Sequence, residues 1–355
     1  MVLLSYLAAF FSAFGAIFFV YCAFNIARWI YDVFLASSSD AYLAAFKGDW
    51  ALITGAAGGI GRCFAEQLAA RGLHLILADI NEAGLEELRG LLAGRFPAVS
   101  IKTMRLDLMG EAAAIEANLK IFMQDHGINK IGVLLCCAGG VGRYAVVNER
   151  PTSAVYRDVQ YNVSSTLLCC SFVIPYMKHN GRGLIMLMSS MSALSGMPGS
   201  PEYSGGKAFL RLWSFSVEEE LKIDNILITA FTPGFITTPL TQYARGLLVA
   251  EPESFVRWAL HKCHRGPVCN PHPGHALQEA LGVNILGIRS MRKAAEIAAC
   301  KMAKRMMASK KEDGSPSLLV ERQEAKDHIE KMASKRTALF DTAARPELSV
   351  GRVGG

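Results

Sequence analysis

Short, almost wholly apolar runs alternate with amphipathic segments along the middle of this chain. Residues 50–53, 73–78 and 184–188 form three of these runs, and residues 62–72 repeat their apolar positions at helical spacing. Apolar runs of this length are typical of strands buried on both faces, and the second pattern is typical of a helix. The alternation predicts a doubly wound α/β domain with a mostly parallel sheet.

A longer apolar segment precedes this domain. Residues 2–27 carry no charged side chain, and a helix of that length spans the roughly 30 Å of a bilayer core. A signal peptide is expected to have a basic start and a shorter apolar core, so we predict an uncleaved anchor and keep cleavage near residues 34–39 as the alternative. Residues 28–46, with Leu43 and Phe46 among their apolar positions, predict an interfacial linker, and a hairpin or monotopic insertion stays open.

The distribution of basic residues indicates how the two ends of the chain are placed. Basic residues follow the anchor and none precedes it, which favours a cytosolic position for the domain. Residues 288–311 hold eight basic side chains and one acidic one, and they account for the formal net charge of +6. This segment favours a basic amphipathic helix on anionic lipid or, equally, a solvated helix packed on the domain, and it gives no support to nucleic-acid binding. Residues 312–355 are predicted to be a polar, partly disordered tail.

A glycine-rich turn, TGAAGGIG at residues 54–61, lies between the first apolar run and the first predicted helix. Free amides and the positive end of a helix dipole meet there, where a pyrophosphate can bind. Gly55 permits a tight turn, while Gly59 and Gly61 allow close approach of backbone to phosphate and of helix to strand. Ile60 lies between them in the same loop. The motif predicts a Rossmann-type dinucleotide site.

The next apolar run ends at Asp79, eighteen residues after Gly61, which is near the spacing of a ribose-binding acid. A carboxylate accepts hydrogen bonds from ribose hydroxyls and repels a 2′-phosphate, and neither Gly58 nor Ile80 supplies a compensating positive charge. We therefore predict NAD(H) in preference to NADP(H), which stays open. A turn or helix-capping role for Asp79 is the alternative.

Tyr203 and Lys207 are four residues apart in EYSGGK, so on a helix they share one face. A nearby ammonium favours the phenolate, which makes a tyrosine usable for proton transfer. Ser190 follows the run 184–188, at the strand end where open α/β sheets bind ligands. With the glycine turn, these residues predict a site that transfers a hydride.

These motifs resemble those of the short-chain dehydrogenases/reductases, in the branch whose glycine motif reads TGxxxGxG. The resemblance covers residues 47–286, and the predicted catalytic domain is residues 47–287. It implies that Asp107 and Leu108 contact the adenine and that a Pro-Gly loop holds the nicotinamide amide. The residues implied in that loop are Pro233, Gly234, Ile236 and Thr238.

The resemblance also implies roles for four catalytic residues. Tyr203 passes a proton to or from the substrate oxygen, and Ser190 hydrogen-bonds that oxygen. Lys207 binds the nicotinamide ribose and lowers the Tyr203 pKa, while Asn162 holds a water that links the lysine to solvent.

One segment departs from the family pattern. Where the family usually has Asn-Asn-Ala-Gly, this chain has Cys136, Cys137, Ala138 and Gly139. Ala138 and Gly139 are still expected at the cofactor, but the loss of two bracing amides predicts a weaker cofactor site. A redox pair is the alternative, yet adjacent cysteines form a strained disulfide, and nine irregularly spaced cysteines fit a reducing compartment.

Six potential metal ligands crowd into fifteen residues. They are His261, Cys263, His264, Cys269, His272 and His275. Their spacing matches no metal motif, and hydride transfer needs no metal, so we predict no metal site. Contact of His272 or His275 with a substrate head group is another hypothesis.

Residues 240–286 are expected to cover the substrate. With the anchor, they are similar to the branch that holds very-long-chain 3-ketoacyl-CoA reductases and 17β-hydroxysteroid dehydrogenases of types 3 and 12. This similarity implies an endoplasmic-reticulum enzyme acting on acyl-CoA or steroid carbonyls. That branch usually uses NADPH, whereas the residues around Asp79 resemble NAD-using, lipid-droplet 17β-hydroxysteroid and retinol dehydrogenases.

We therefore predict NAD(H)-dependent interconversion of a hydroxyl and a ketone on a hydrophobic lipid, at the endoplasmic-reticulum or lipid-droplet membrane. The direction of the reaction stays open, as does a homodimer formed through the helices that bear Asn162 and Tyr203. The competing hypothesis is a membrane scaffold or lipid-droplet coat protein that has kept the fold and lost turnover.

Overall fold

The computed structural model describes residues 2–36, 38–142, 145, 147–241, 243–246 and 248–285. The predicted basic helix at 288–311 and the predicted tail at 312–355 lie outside the described residues. So do residues 286–287 of the predicted catalytic domain.

Seven parallel strands form a single sheet, as the alternating pattern predicts. The strands are β1 (Trp50–Thr54), β2 (His74–Asp79), β3 (Ile101–Arg105), β4 (Ile131–Cys136), β5 (Gly183–Met188), β6 (Ile226–Phe231) and β7 (Val268–Cys269). Their order across the sheet is β3-β2-β1-β4-β5-β6-β7. The chain reverses direction across the sheet between β1 and β4, and in such sheets ligands bind in the crevice at the carboxyl ends of the strands flanking the reversal.

The described residues also form eleven α-helices. They are α1 (Val2–Ile30), α2 (Asp40–Ala44), α3 (Gly59–Ala70), α4 (Glu82–Arg95), α5 (Ala112–Asp125), α6 (Thr152–Val159), α7 (Ser165–Asn180), α8 (Ser192–Ser195), α9 (Pro201–Leu221), α10 (Pro252–Lys262) and α11 (Pro273–Glu279). Three π-helical segments, Tyr31–Leu35, Gln160–Ser164 and Ala280–Ile285, continue α1, join α6 to α7, and continue α11. Helices α3, α4 and α10 pack on one face, and α5, α7 and α9 pack on the other.

Burial on both faces explains why the strands lack polar alternation. In β1, Ala51 and Ile53 join one hydrophobic cluster and Leu52 joins the other. Each strand residue points to the face opposite its neighbour's, so every position meets a helix layer. The apolar runs therefore encode strands that are enclosed by helices.

Helix α1 precedes the domain. Its stretch Ser5–Ile30 is apolar, exposed along its length, and long enough to cross a membrane. Beyond its end, Arg265 donates hydrogen bonds to the Asp32 carbonyl at 2.6 Å and to the Ala36 carbonyl at 2.7 Å. The hydroxyl of Ser39 donates to the His261 carbonyl at 2.8 Å. These contacts attach the segment after α1 to the last turn of α10 and to the turn that follows it.

The predicted interfacial linker differs from the structure at its C-terminal end. Leu43 and Phe46 are fully buried in the core and do not lie at a membrane interface. A Cβ added to Gly132 would lie 2.8 Å from the Phe46 ring, so this ring packs on the start of β4. The packed domain therefore begins before residue 47.

Three phenylalanines connect the layers of the core. Phe231 in β6 lies with its ring centroid 6.3 Å from that of Phe64 in α3 and 6.3 Å from that of Phe255 in α10, and all three are fully buried. Close packing on both sides leaves no room for the site to collapse around a smaller residue.

We expect Phe231→Ala to lower the free energy of unfolding by about 3–5 kcal/mol, because the lost apolar contacts and the cavity both destabilise the fold. Urea unfolding of the detergent-solubilised protein, followed by tryptophan fluorescence, measures this loss. Leu91→Ala on α4, where the side chain is 57% exposed, is the control and should change stability by about 0.5 kcal/mol or less. Equal losses for the two variants would contradict the prediction.

Candidate active site

The glycine turn after β1 has room only for backbone. Gly55 has a φ of +68°, and a Cβ there would lie 2.7 Å from the backbone nitrogen of Ala138. A Cβ on Gly61 would overlap the carbonyl oxygen of Gly55. Helix α3 therefore begins directly over the turn, and its first amides, which no helix can pair internally, face the crevice end of the sheet. This arrangement fits a phosphate-binding cradle.

Asp79 lies at the end of β2 and holds the glycine turn. Its carboxylate accepts the Ala57 amide at 3.0 Å through one oxygen and the Asn81 amide at 3.0 Å through the other. An ionised carboxylate can accept about four hydrogen bonds, so acceptor sites remain for ribose hydroxyls. The cap of α4 is Asn81, whose side chain accepts the Gly84 amide at 3.1 Å. Asp79 is therefore a turn and loop anchor but not the helix cap.

Asp107 and Leu108, the two residues implied to contact the adenine, differ in burial. Asp107 is exposed, and its carboxylate accepts the Met109 amide at 2.9 Å. The Leu108 side chain is 7% exposed and packs in the core. The Asp107 turn is thus the part of this pair that is accessible from solvent.

Backbone and one hydroxyl brace the end of β4, where the family pattern has amide side chains. The Cys137 amide donates to the Thr54 carbonyl at 3.2 Å, and the Ala138 amide donates to the Thr54 hydroxyl at 3.3 Å. Cys136 is buried beside Cys169 of α7, and hydrogen bonding to Cys136 together with burial raises the pKa of the Cys169 thiol. Burial likewise raises the pKa of Cys137 to about 12, so its thiol stays protonated and is a poor nucleophile.

Ser190, Tyr203 and Lys207 meet where the sheet and α9 converge. The Ser190 hydroxyl oxygen accepts the Ser192 amide at 3.1 Å, and the Ser190 side chain also hydrogen-bonds Tyr203. The ammonium nitrogen of Lys207 lies 5.5 Å from the centroid of the Tyr203 ring. The Ser189 hydroxyl donates to the Lys207 carbonyl at 2.7 Å and ties α9 to the end of β5.

Asn162 lies in the π-helical segment between α6 and α7, and π-turns often occur at functional sites. It is fully buried, and its amide nitrogen donates to the carbonyls of Gly140 at 2.9 Å and Asp158 at 3.0 Å. Its oxygen accepts the Gly140 amide at 3.1 Å. A Cβ added to Gly139 would lie 3.1 Å from both this oxygen and the Lys207 nitrogen. Asn162 and Lys207 thus flank the same backbone position.

Burial controls the acid–base properties of the pair. It raises the pKa of the Tyr203 phenol, and a hydrogen bond with Ser190 opposes that shift. It lowers the pKa of Lys207 to about 8, against the effect of the Cys137 and Cys136 thiols. The lowering of the Tyr203 pKa expected from Lys207 does not occur, because removal of the phenol from water outweighs the distant ammonium.

The Pro-Gly loop closes over the glycine turn. The Met191 amide donates to the Pro233 carbonyl at 2.9 Å. A Cβ added to Gly59 would lie 3.3 Å from the Thr238 methyl group, so the two loops face each other. The Thr238 hydroxyl donates to the Ile236 carbonyl at 3.4 Å. A nicotinamide that met the implied contacts would therefore lie beside the glycine turn.

His275 supports this loop from behind, a role that sequence reasoning missed. It is fully buried, and its Nε2 hydrogen-bonds the Phe235 carbonyl at 3.0 Å. A Cβ added to Gly234 would lie 2.9 Å from its ring. Burial lowers the pKa of His275 to about 4, so the ring is neutral near pH 7. The hypothesis of a head-group contact does not fit this placement, and His272 is also outside the cavity lining.

Two further observations bear on the cysteine and histidine cluster. His264 hydrogen-bonds Ser39 in the segment after α1. Within the part of the chain that the structure describes, no three His, Cys, Asp or Glu residues are grouped to hold a metal ion.

An apolar cavity of about 490 Å³ opens onto the catalytic residues. It reaches from Ile60 and Thr238 on the cofactor side to Ser190, Tyr203 and Lys207. Most of its remaining wall is hydrophobic, and the residues include Val141, Met188, Met191, Met197, Phe235, Leu240, Leu248 and Leu281. Three of these, Leu240, Leu248 and Leu281, come from the segment predicted to cover the substrate.

A family model described as short chain dehydrogenase matches residues 49–246. The chain belongs to the short-chain dehydrogenase family. As a short-chain dehydrogenase it interconverts hydroxyl and ketone groups with a nicotinamide cofactor. The residues present fit such a cofactor, since Gly55 and Gly61 clear a backbone cradle for phosphate and Asp79 offers acceptors beside it.

Two sequence relatives and one solved structure are similar to this dehydrogenase. The chain is 29% identical over 277 residues to a very-long-chain 3-oxoacyl-CoA reductase of Pyricularia oryzae, covering 74% of this chain and 80% of that protein. It is 30% identical over 254 residues to a protein of the same name from Pyrenophora tritici-repentis, covering 69% and 74%. The 3-ketoacyl-(acyl-carrier-protein) reductase of Brucella melitensis complexed with NADH aligns with a TM-score of 0.56 at 22% identity, covering 63% of this chain and 96% of that chain. This last similarity supports the fold.

We expect Lys207→Met to stabilise the cofactor-free dehydrogenase at pH 7. The folded-state pKa of Lys207 is about 8, whereas an unfolded lysine titrates near about 10.4. Below pH 8 both states are protonated and the folded state bears the full cost of burying the charge, at most about 3 kcal/mol. Between these pKa values the folded lysine is already neutral, so the cost disappears as the pH rises.

Urea unfolding of wild type and variant at pH 7 and pH 10 tests this expectation, and the stability difference should shrink at pH 10. Lys222→Met, at a side chain 68% exposed, controls for the loss of one charge. A difference that stayed the same at both pH values would show that the buried ammonium is not its cause.

Proposed function

We propose that this dehydrogenase is a membrane-anchored reductase of long-chain 3-oxoacyl thioesters that converts the ketone to a hydroxyl with NADH. The observation that carries the proposal is the apolar cavity that ends at Ser190, Tyr203 and Lys207. A long acyl chain is the kind of substrate that such a wall accommodates. The very-long-chain 3-oxoacyl-CoA reductases that resemble the chain support the choice of a thioester over a steroid or a retinoid.

Tyr203 acts as the acid in this proposal. Its raised pKa keeps the phenol protonated, which suits donation of a proton to the substrate oxygen when the ketone is reduced. In this proposal Ser190 donates its hydroxyl proton to the same oxygen, while its own oxygen accepts the Ser192 amide. The bound cofactor supplies the hydride, and the Tyr203 proton completes the hydroxyl.

Lys207 and Asn162 form the path that returns the proton. Lys207 binds the nicotinamide ribose, and the Asn162 oxygen keeps one lone pair beside the lysine after it has accepted the Gly140 amide. A water held there would connect Lys207 to solvent. The buried position of Asn162 supports a fixed geometry for this connection.

The choice of NADH rests on Asp79 and its surroundings. Both of its oxygens are held by backbone amides, and Ile80 beside it is 57% exposed and uncharged. Arg105 of β3 pairs in register with Asp79 and is the nearest basic residue along the neighbouring strand. NADP(H) use would require this arginine to offset the carboxylate.

Membrane attachment through α1 completes the proposal. The apolar stretch Ser5–Ile30 supports an anchor in the endoplasmic reticulum or on lipid droplets, with the catalytic domain in the cytosol. A homodimer through α9 is supported by exposed apolar side chains on that helix. They are Phe209, Leu212 and Phe215.

The proposed function predicts turnover of long-chain 3-oxoacyl-CoA, with little turnover of short chains that leave the apolar wall unfilled. Purified protein in detergent is assayed for NADH oxidation with a chain-length series, a steroid ketone and retinal. Tyr203→Phe should reduce kcat by at least about a hundredfold, because it removes the transferable proton. Its affinity for NADH should stay within a few-fold.

Each outcome of this assay selects among the hypotheses. Preference for the steroid or for retinal would overturn the thioester. A failure of NADH and NADPH to bind, measured by nucleotide fluorescence, would favour the scaffold hypothesis. High activity in Tyr203→Phe would contradict the assigned acid.

Cofactor preference provides a separate prediction. Asp79→Ser combined with Ile80→Arg should move the NADPH/NADH preference in kcat/KM by tenfold or more, about 1.4 kcal/mol per tenfold, because it removes a repulsion and adds a phosphate partner. Asp107→Ser, which removes a carboxylate from the next strand end, is the control and should leave the preference within threefold. A wild-type enzyme that already prefers NADPH would contradict the role given to Asp79.

A further inference from the structure

A buried arginine joins two acidic side chains beside the catalytic residues. Arg150 contacts the Asp158 carboxylate through one terminal nitrogen and the Glu202 carboxylate through the other. The side chains of Arg150, Asp158 and Glu202 are 1%, 7% and 9% exposed. None of the three is needed for cofactor binding or proton transfer in the proposed reaction.

Each acid belongs to an element that carries catalytic groups. Asp158 lies in the last turn of α6, and its backbone carbonyl accepts a hydrogen bond from the side-chain amide of Asn162 at 3.0 Å. Glu202 lies in the first turn of α9 and directly precedes Tyr203. Arg150 belongs to the connection from β4 to α6. One guanidinium therefore links the element that holds Asn162 to the element that holds Tyr203.

The triad of Arg150, Asp158 and Glu202 is enclosed by protein, and its geometry requires a guanidinium. A Cβ added to Gly142 would overlap the Asp158 carboxylate, so the connection after β4 packs directly on the ion pair. A planar guanidinium can contact two carboxylates at once, which an ammonium at a single point cannot do with the same geometry. Without Arg150, two buried carboxylates would face each other unpaired, and such burial is unfavourable unless the elements move apart.

We propose that Arg150 is a positioning residue that sets the distance between Asn162 and the Tyr203–Lys207 pair by holding α6 against the start of α9. The effect on turnover rests on the proposed function. The effect on the two elements does not, because it can be measured without substrate.

Four variants separate positioning from stability. Arg150→Met removes the charge and keeps most of the length. Arg150→Lys keeps the positive charge but removes the planar guanidinium that contacts both carboxylates. The triple variant Arg150→Met, Asp158→Asn, Glu202→Gln removes all three charges, and Arg95→Met removes an exposed arginine paired with Glu66 as the control. Each is assayed with NADH and a long-chain 3-oxoacyl-CoA, with NADH affinity measured separately.

We expect the triple variant to regain wild-type thermal stability, because replacement of a whole buried ion cluster by neutral groups is often well tolerated. Its kcat should nevertheless remain about tenfold or more below wild type, since catalytic groups displaced by about 1 Å lose rate steeply. NADH affinity should stay within threefold in every variant, and Arg150→Lys should have an intermediate kcat. A triple variant with wild-type kcat would overturn the proposal and leave Arg150 a purely structural residue.

Amide hydrogen exchange provides the readout that does not need substrate. In Arg150→Met and in the triple variant, exchange should increase together in residues 158–164 and 201–207, while Arg95→Met changes neither. An increase confined to residues 147–157 would overturn the proposal. If wild type lacks turnover of every thioester, the proposed function fails, and the exchange result still decides the role of Arg150.

Discussion

The close approach of two backbone segments at the carboxyl end of the sheet supports the whole site. The turn after β1 touches the end of β4 so tightly that a Cβ on Gly55 would lie 2.7 Å from the Ala138 nitrogen. Thr54 adds hydrogen bonds to the amides of Cys137 and Ala138. One side of this contact carries the loop that Asp79 holds, and the other leads to Gly139, which lies against both Asn162 and Lys207. The cofactor half and the proton-transfer half of the site are therefore built on one contact.

The apolar wall of the cavity also affects the acid–base properties of the catalytic residues. The same apolar wall that suits an acyl chain removes Tyr203 and Lys207 from water, and this burial favours the neutral form of each. A neutral phenol can donate a proton, so the wall that lines the cavity also affects the protonation of the catalytic pair. Burial of the lysine also destabilises the fold, which is a usual consequence of placing chemistry inside a hydrophobic core.

Local signals in the sequence predicted most of the framework. These signals, which are the apolar runs, the glycine turn and the spacing to Asp79, depend on residues close together in the chain. In the structure the apolar runs form the parallel strands, and the glycine turn and Asp79 meet at one end of the sheet. Leu43 and Phe46 were misassigned because an aromatic segment near a membrane and a buried aromatic segment look alike before packing is known. The direction of the Tyr203 pKa shift depends on burial, which residue spacing does not record. The Arg150–Glu202 pair joins residues 52 positions apart, so no local pattern reports it.

The π-helical segment around Asn162 determines how this part of the chain responds to the deletion of a residue. Helices α6 and α7 form one continuous rod, and the segment Gln160–Ser164 inserts a wider turn into it. A single-residue deletion there would let the rod relax to a regular α-helix without breaking a turn. Because the wider turn accommodates the extra residue, the flanking helices would keep nearly the same phase, and the deletion would chiefly remove the local widening of the backbone around Asn162. The position of Asn162 on a widened turn therefore depends on the number of residues in this segment and not only on their identity.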